Sequence, residues 1–274
     1  MSLVIALVCG LDSVFVYSDG RRRSIKPIYF TLPDGDELNL AITGGVGDSI
    51  LVKQSFKVIE SMFKTWFKSV GLKERRNPYS EEFEDIISGI ESQLIARYKE
   101  LREDGVESDV SLLVASVTND GIPKLYVFDN RGLAEPVHEN PGYALLGRGA
   151  TAGNLILRLL DYNPIKALRW SPVVLATFII DMISEVDPAV SQFLGQSCLI
   201  TYYKSEGRVV IGALSEEGYK MEKEKAQRRR EWIKLLWDLL EIFGDKGEKK
   251  FERKLKRVVK QIASSDSEDS SQGS

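Results

Sequence analysis

The 274 residues suffice for one large domain, or for a domain of about 200 residues with an appendage, and a 43% apolar content fills a sizeable core. Lys and Arg number 37 against 40 Asp and Glu, and the resulting net charge of −3 argues against a nucleic-acid coat and against a strongly acidic solvating chain. Two cysteines, Cys9 and Cys198, sit inside apolar runs and exclude a disulfide framework, while the one histidine, His138, has no second His or Cys at metal-ligand spacing, so neither metal nor cofactor is expected.

The average charge hides a division. From Lys220 onward there are 15 basic and 11 acidic residues, near +4, and everything before is near −7. A contrast of that size predicts a boundary there. The apolar start is too short for a signal segment and no apolar run approaches the length of a membrane span, so the expectation is a cytoplasmic protein without membrane contact.

The first predicted element is a strand over Ser2 to Cys9, a nearly unbroken apolar run, turned at Gly10–Ser13 into a second strand over Val14–Tyr17. Strands over Ile28–Leu32 and Leu38–Thr43 follow, joined by Pro33-Asp34-Gly35. From Ser49 the period becomes helical: Ile59, Met62, Phe63, Trp66, Phe67 and Val70 share one face, and Gly71 ends it. A second helix after Asn77-Pro78 carries Phe83, Ile86, Ile87, Ile90 and Leu94, and runs to about Arg102. Strands return over Ser111–Thr118, Lys124–Asp129 and Gly142–Leu146. The corner Gly147-Arg148-Gly149 then leads to helices over Ala150–Leu160 and Pro172–Val186, and strands over Cys198–Tyr203 and Val209–Leu214 close the set.

Strands and helices segregated in runs suit a layered α+β fold better than a doubly wound parallel sheet. Beyond Glu222, Trp232, Leu235, Leu236, Leu239, Leu240 and Phe243 form one helical stripe, and Phe251, Leu255, Val258, Val259 and Ile262 a second. The Ser/Asp/Glu-rich stretch 264–274 is expected to be disordered.

The element order, with Ser18-Asp19-Gly20-Arg21 after the first hairpin, Ala41 to Asp48 before the first long helix, the strand pair over Leu113–Asp129 and Tyr143 to Gly149, resembles a proteasome β-type subunit. The resemblance covers residues 2–219, leaving 222–263 as a helical extension and 264–274 as a tail. It implies a four-layer αββα sandwich of the N-terminal-nucleophile hydrolase type. It further implies that Met1 is trimmed and that Ser2 stands where the family has its N-terminal threonine. One residue then carries both nucleophile and base, because a free α-amino group titrates near neutrality, at about 7.7–8.0. On the same resemblance Lys26 is the cation beside that amine, Asp19 the carboxylate that orients it, Gly44 the oxyanion donor, and Asp187 and Ser191 complete the site. Arg148 replaces a serine of the family's corner, where it lowers the amine's pKa and holds a substrate carboxylate, or fills the site. The partners implied are a peptide or protein substrate and self-association or other proteasome-like subunits. A non-catalytic subunit is the alternative.

Simpler readings exist for each residue. Met-Ser is a common start, Asp19 is a hairpin terminator, Lys26 is an edge lysine, Gly44 makes a tight turn, and Asp187 and Ser191 follow a helix end. Gly147-Arg148-Gly149-Ala150-Thr151-Ala152 matches a dinucleotide fingerprint, but no strand follows its helix until Cys198, so the βαβ unit is missing. Lys246–Lys260 carries eight basic and two acidic residues, which suits phosphate contact or, more commonly, the solvated face of a helix.

Overall fold

The computed structural model describes residues 3–19, 24–107, 109–165, 171–190, 195–235, 238 and 253. The chain divides by internal contacts at Lys223/Glu224. The first unit is a mixed α+β structure with two five-stranded antiparallel sheets. In chain order its strands are β1 Leu3–Val8, β2 Ser13–Ser18, β3 Ile25–Thr31 and β4 Glu37–Gly47, then helices α1 Ser49–Trp66, α2 Leu72–Glu74 and α3 Ser80–Glu103. There follow β5 Val110–Val117, β6 Pro123–Phe128, β7 Ala134–Pro136, β8 Tyr143–Gly147, α4 Ala150–Leu159, α5 Pro172–Val186, β9 Ser197–Tyr203 and β10 Arg208–Gly212. The first sheet has the order β10-β9-β2-β1-β8 and the second β3-β4-β5-β6-β7. In the second unit, the described residues 224–235 are helical.

Strand alternation sorts the apolar residues into three layers. Val4, Ala6, Val14 and Val16 of the first sheet meet Ile42, Leu113, Ala115 and Leu125 of the second. On the far side of the second sheet, Leu40, Leu112, Val114 and Phe128 pack on Phe56, Ile59 and Phe63 of α1 and on Phe83, Ile87 and Ile90 of α3. On the far side of the first sheet, Leu3, Ile5, Leu7 and Phe15 pack on Leu157 of α4 and on Leu175, Ile179 and Ile183 of α5. Each such side chain, fully withdrawn from water, contributes about 1.5–3 kcal/mol. β1 is apolar on both faces because both faces are covered. That is why its run has no alternation.

Two strands depart from their expected bounds, and a third strand was not expected at all. β3 begins at Ile25 rather than Ile28, because Pro27 sits in an edge strand, where a missing N–H leaves no ladder gap. β4 does not stop at Thr43 but continues to Gly47. The glycines there are strand residues packed against neighbours: a Cβ on Gly44 would lie 3.0 Å from Val4 Cγ1, and one on Gly45 2.8 Å from Leu112 Cδ2. The third is the short β7, which pairs with β6 without any sequence signal. Cys9, at the end of β1, donates its Sγ–H to Leu7 O at 3.2 Å, and Cys198 lies in the layer between the sheets; both thiols are free. No helix among the described residues is long and apolar enough to cross a membrane.

Candidate functional site

Three of the seven expected residues, Asp19, Arg148 and Asp187, lie at the end of the first sheet where β1 starts. Leu3 stands opposite Gly147 in the β1–β8 ladder. Its carbonyl accepts the N–H of Asp19 at 3.1 Å. Asp19, one residue past β2, is fully buried. Its charge also acts on the Tyr17 hydroxyl, which burial pushes far up; the Tyr219 hydroxyl adds to that shift, Thr177 opposes it, and Asp19 adds a smaller push. A buried carboxylate is costly unless charge or hydrogen bonds compensate it. Asp19 is thus a core residue at the strand end and not an exposed turn residue.

Arg148 follows Gly147, so it stands one residue from the partner of Leu3. Its Nε lies 3.5 Å from Asp187 Oδ2, and its side chain is 58% exposed. Asp187 ends α5, donates its own N–H to Ile183 O at 2.8 Å and accepts the N–H of Ala189 at 2.9 Å. Gly149 closes the corner against the same helix, since a Cβ there would lie 2.5 Å from Ile183 Cγ2. The carboxylate of Asp187 is held by that turn, and its contact with the guanidinium is a partly exposed ion pair. One end of the first sheet thus holds Asp19, Arg148 and Asp187 around the first described residue of β1.

The structure does not bring Lys26 into this group. Lys26 stands opposite Thr43, on the face that β4 turns to α1, and its Nζ lies 2.6 Å from Glu60 Oε2. Both side chains are 40% exposed, as in an ordinary surface pair. The residue on the other face is Ile25, which packs between the sheets.

Gly44 is likewise a ladder residue. Gly45 donates its N–H to Ser24 O at 2.8 Å. Because N–H directions alternate along a strand, the N–H of Gly44 turns to β5, where Gly44 stands opposite Leu113. The oxyanion role that the resemblance implies would therefore compete with sheet pairing. Ser2 and Ser191 lie outside the described residues, as do 236–237, 239–252 and 254–274, which hold most of the expected extension and all of the expected tail.

Ser18 was missed in the sequence. It is fully buried, stands opposite Val4, and its Oγ has no hydrogen-bond partner among the described residues. The signal available was a hydroxyl at a core-facing position of an otherwise apolar strand. The Arg148–Asp187 pairing was also not legible, because 39 residues separate the two in the sequence. Among the described residues no group of three His, Cys, Asp or Glu side chains is placed to hold a metal ion.

Compared with known proteins, the chain matches no protein-family model and no curated protein.

Proposed function

We propose that the chain is a proteasome-like N-terminal serine hydrolase, an αββα sandwich that cleaves peptide or other amide bonds through an acyl-enzyme. The observation that carries this reading is the buried Asp19 on the carbonyl of Leu3, the residue after Ser2. Cleavage of the Met1–Ser2 bond leaves an α-ammonium one residue before the Leu3 carbonyl that accepts the Asp19 N–H, and the Asp19 carboxylate is assigned as its counter-charge. Arg148, paired with Asp187, takes the part of the positive neighbour that Lys26 does not fill. A nearby cation lowers an amine's pKa by like-charge repulsion and makes it a base near neutral pH.

The Ser2 hydroxyl gives its proton to the amine as its oxygen bonds to the substrate carbonyl carbon. The C–N bond then breaks and the amine's proton passes to the leaving nitrogen. Water cleaves the ester and restores Ser2.

The test is an intact-mass spectrum together with hydrolysis of fluorogenic peptide amides. The expected results are a chain that starts at Ser2 and a Ser2→Ala variant with turnover lowered by more than about a thousandfold. Retention of Met1, or equal turnover in Ser2→Ala, would sink the reading. A second reading, a non-catalytic proteasome-like subunit in a self-associated or mixed assembly, is favoured by one observation: the lysine is bound to Glu60 and an isoleucine takes the inward position.

A further inference from the structure

We infer that the C-terminal extension joins two copies of the chain, the apolar helix face beyond Glu231 in one copy packing antiparallel on the same face in the other. Residues 224–235 and 238 are helical. Three large apolar side chains stand open there: Trp232 is 62% exposed, Ile233 50% and Leu235 48%. At 3.6 residues per turn they spread over about 160° of the helix, so contact along a single line does not cover them.

The sequence widens that face. From residue 231 to 243, nine residues are large and apolar, and the other four, Glu231, Lys234, Asp238 and Glu241, fall on one arc. That polar arc is about 80° wide and leaves an apolar arc of about 220°, twice the roughly 100° stripe with which a helix rests on one core. Two neighbours are therefore required. The extension offers one other apolar stripe, within 251–262, and a second copy supplies the remaining cover.

Charge selects this partner and its direction. Arg228 and Arg229 are exposed at the N-terminal end of the apolar face, Arg228 in a long 3.9 Å contact with Glu224, while Glu241 and Asp245 lie at its other end in the sequence. Antiparallel pairing about Leu235 sets the arginines of one copy beside the acids of the other, whereas parallel pairing sets like on like. An anionic lipid surface is disfavoured by the polar arc, which has three acidic groups to one lysine. The rings of Trp232, Trp237 and Phe243 alone bring about 450–750 Å² per copy, close to the roughly 800 Å² per partner of a stable interface. The contact uses no residue of the corner beside Leu3 and stands apart from the hydrolase reading.

Sedimentation velocity on the full-length protein across micromolar concentrations tests the pairing. The expected result is a concentration-dependent particle of twice the 30.8 kDa chain mass. The double variant Ile233→Glu/Leu235→Glu places charge on side chains already exposed, so the fold is kept, and its association is expected to weaken at least a hundredfold. Arg228→Glu/Arg229→Glu is expected to weaken association at least tenfold, and adding Glu241→Arg/Asp245→Arg to restore it. A chain that stays monomeric, with its own 251–262 stripe as the sole cover, overturns the inference. Association unchanged in the Ile233/Leu235 double variant, or a charge swap that fails to restore it, does the same. Flotation with phosphatidylserine vesicles is the last arm: vesicle binding abolished by the same two glutamates overturns the inference in favour of a lipid surface.

Discussion

His138 is the only imidazole in the chain and sits where a proton has consequences. Burial holds it below its ordinary value of 6.5, the Leu125 carbonyl at 3.3 Å opposes that shift, and Lys124 adds to it. Its neighbour Glu84 is pushed up by burial, but Lys124 at 2.7 Å and the Tyr126 hydroxyl outweigh this and lower it below 4.5. Both folded groups disfavour their protons relative to the unfolded chain. Stability is therefore complete above about pH 6.5 and declines in two stages on acidification, first through His138 and then through Glu84. Urea unfolding followed from pH 7.5 to 4 is expected to show His138→Gln flattening the upper stage and sparing the lower. A second prediction compares glycines. Gly45→Ala forces a Cβ to 2.8–3.0 Å from Leu112, Val52 and Phe56, and costs about 1–3 kcal/mol. Gly44→Ala meets its neighbours at 3.0–3.2 Å and should cost less in the same assay.

Elements carry the lesson of what the sequence could and could not reveal. β1, β2, α1, α3 and α5 were legible because each has one clean periodicity or one continuous apolar run. Lys26 was legible as a lysine near a hairpin but not as to face, because a one-residue shift in register exchanges the two sides of a strand. The start of β3 three residues earlier than expected is enough to put Ile25, not Lys26, between the sheets. Gly44–Gly47 read as a turn because glycine usually marks one, whereas here it admits the close approach of two sheets and a helix. Asp19 and Arg148 were singled out through the family resemblance alone, and the structure places both at the end of the first sheet where β1 begins. For α1, Asp48 accepts the N–H of Ile50 at 2.8 Å and of Leu51 at 3.0 Å. Its loss as Asp48→Ala is expected to destabilise by about 0.5–2 kcal/mol, seen as a lower Tm in calorimetry.

For the whole molecule, the layer between the sheets is the common support of both helix layers. Leu113 is fully buried there, in contact range of Gly44 and on the strand opposite it. Leu113→Ala is expected to cost about 2–5 kcal/mol by equilibrium denaturation, more than any surface change. Breaking the Lys26–Glu60 pair with Lys26→Met should cost no more than about 1 kcal/mol and, with Asp19 and Arg148 at the other sheet, leave any turnover unchanged. That variant separates the role implied by resemblance from the role the geometry supports.

The two thiols give the molecule a pair of internal clocks. Burial pushes Cys9 up to about 12 and Cys198 to about 11, so almost no thiolate exists at neutral pH while the strands are closed. Alkylation then waits for an opening event, and the attacked cysteine identifies which one: fraying at the hairpin tip for Cys9, parting of the two sheets for Cys198. Rates of iodoacetamide capture at each site, resolved by peptide mass, would time those two motions separately in the unmodified native chain.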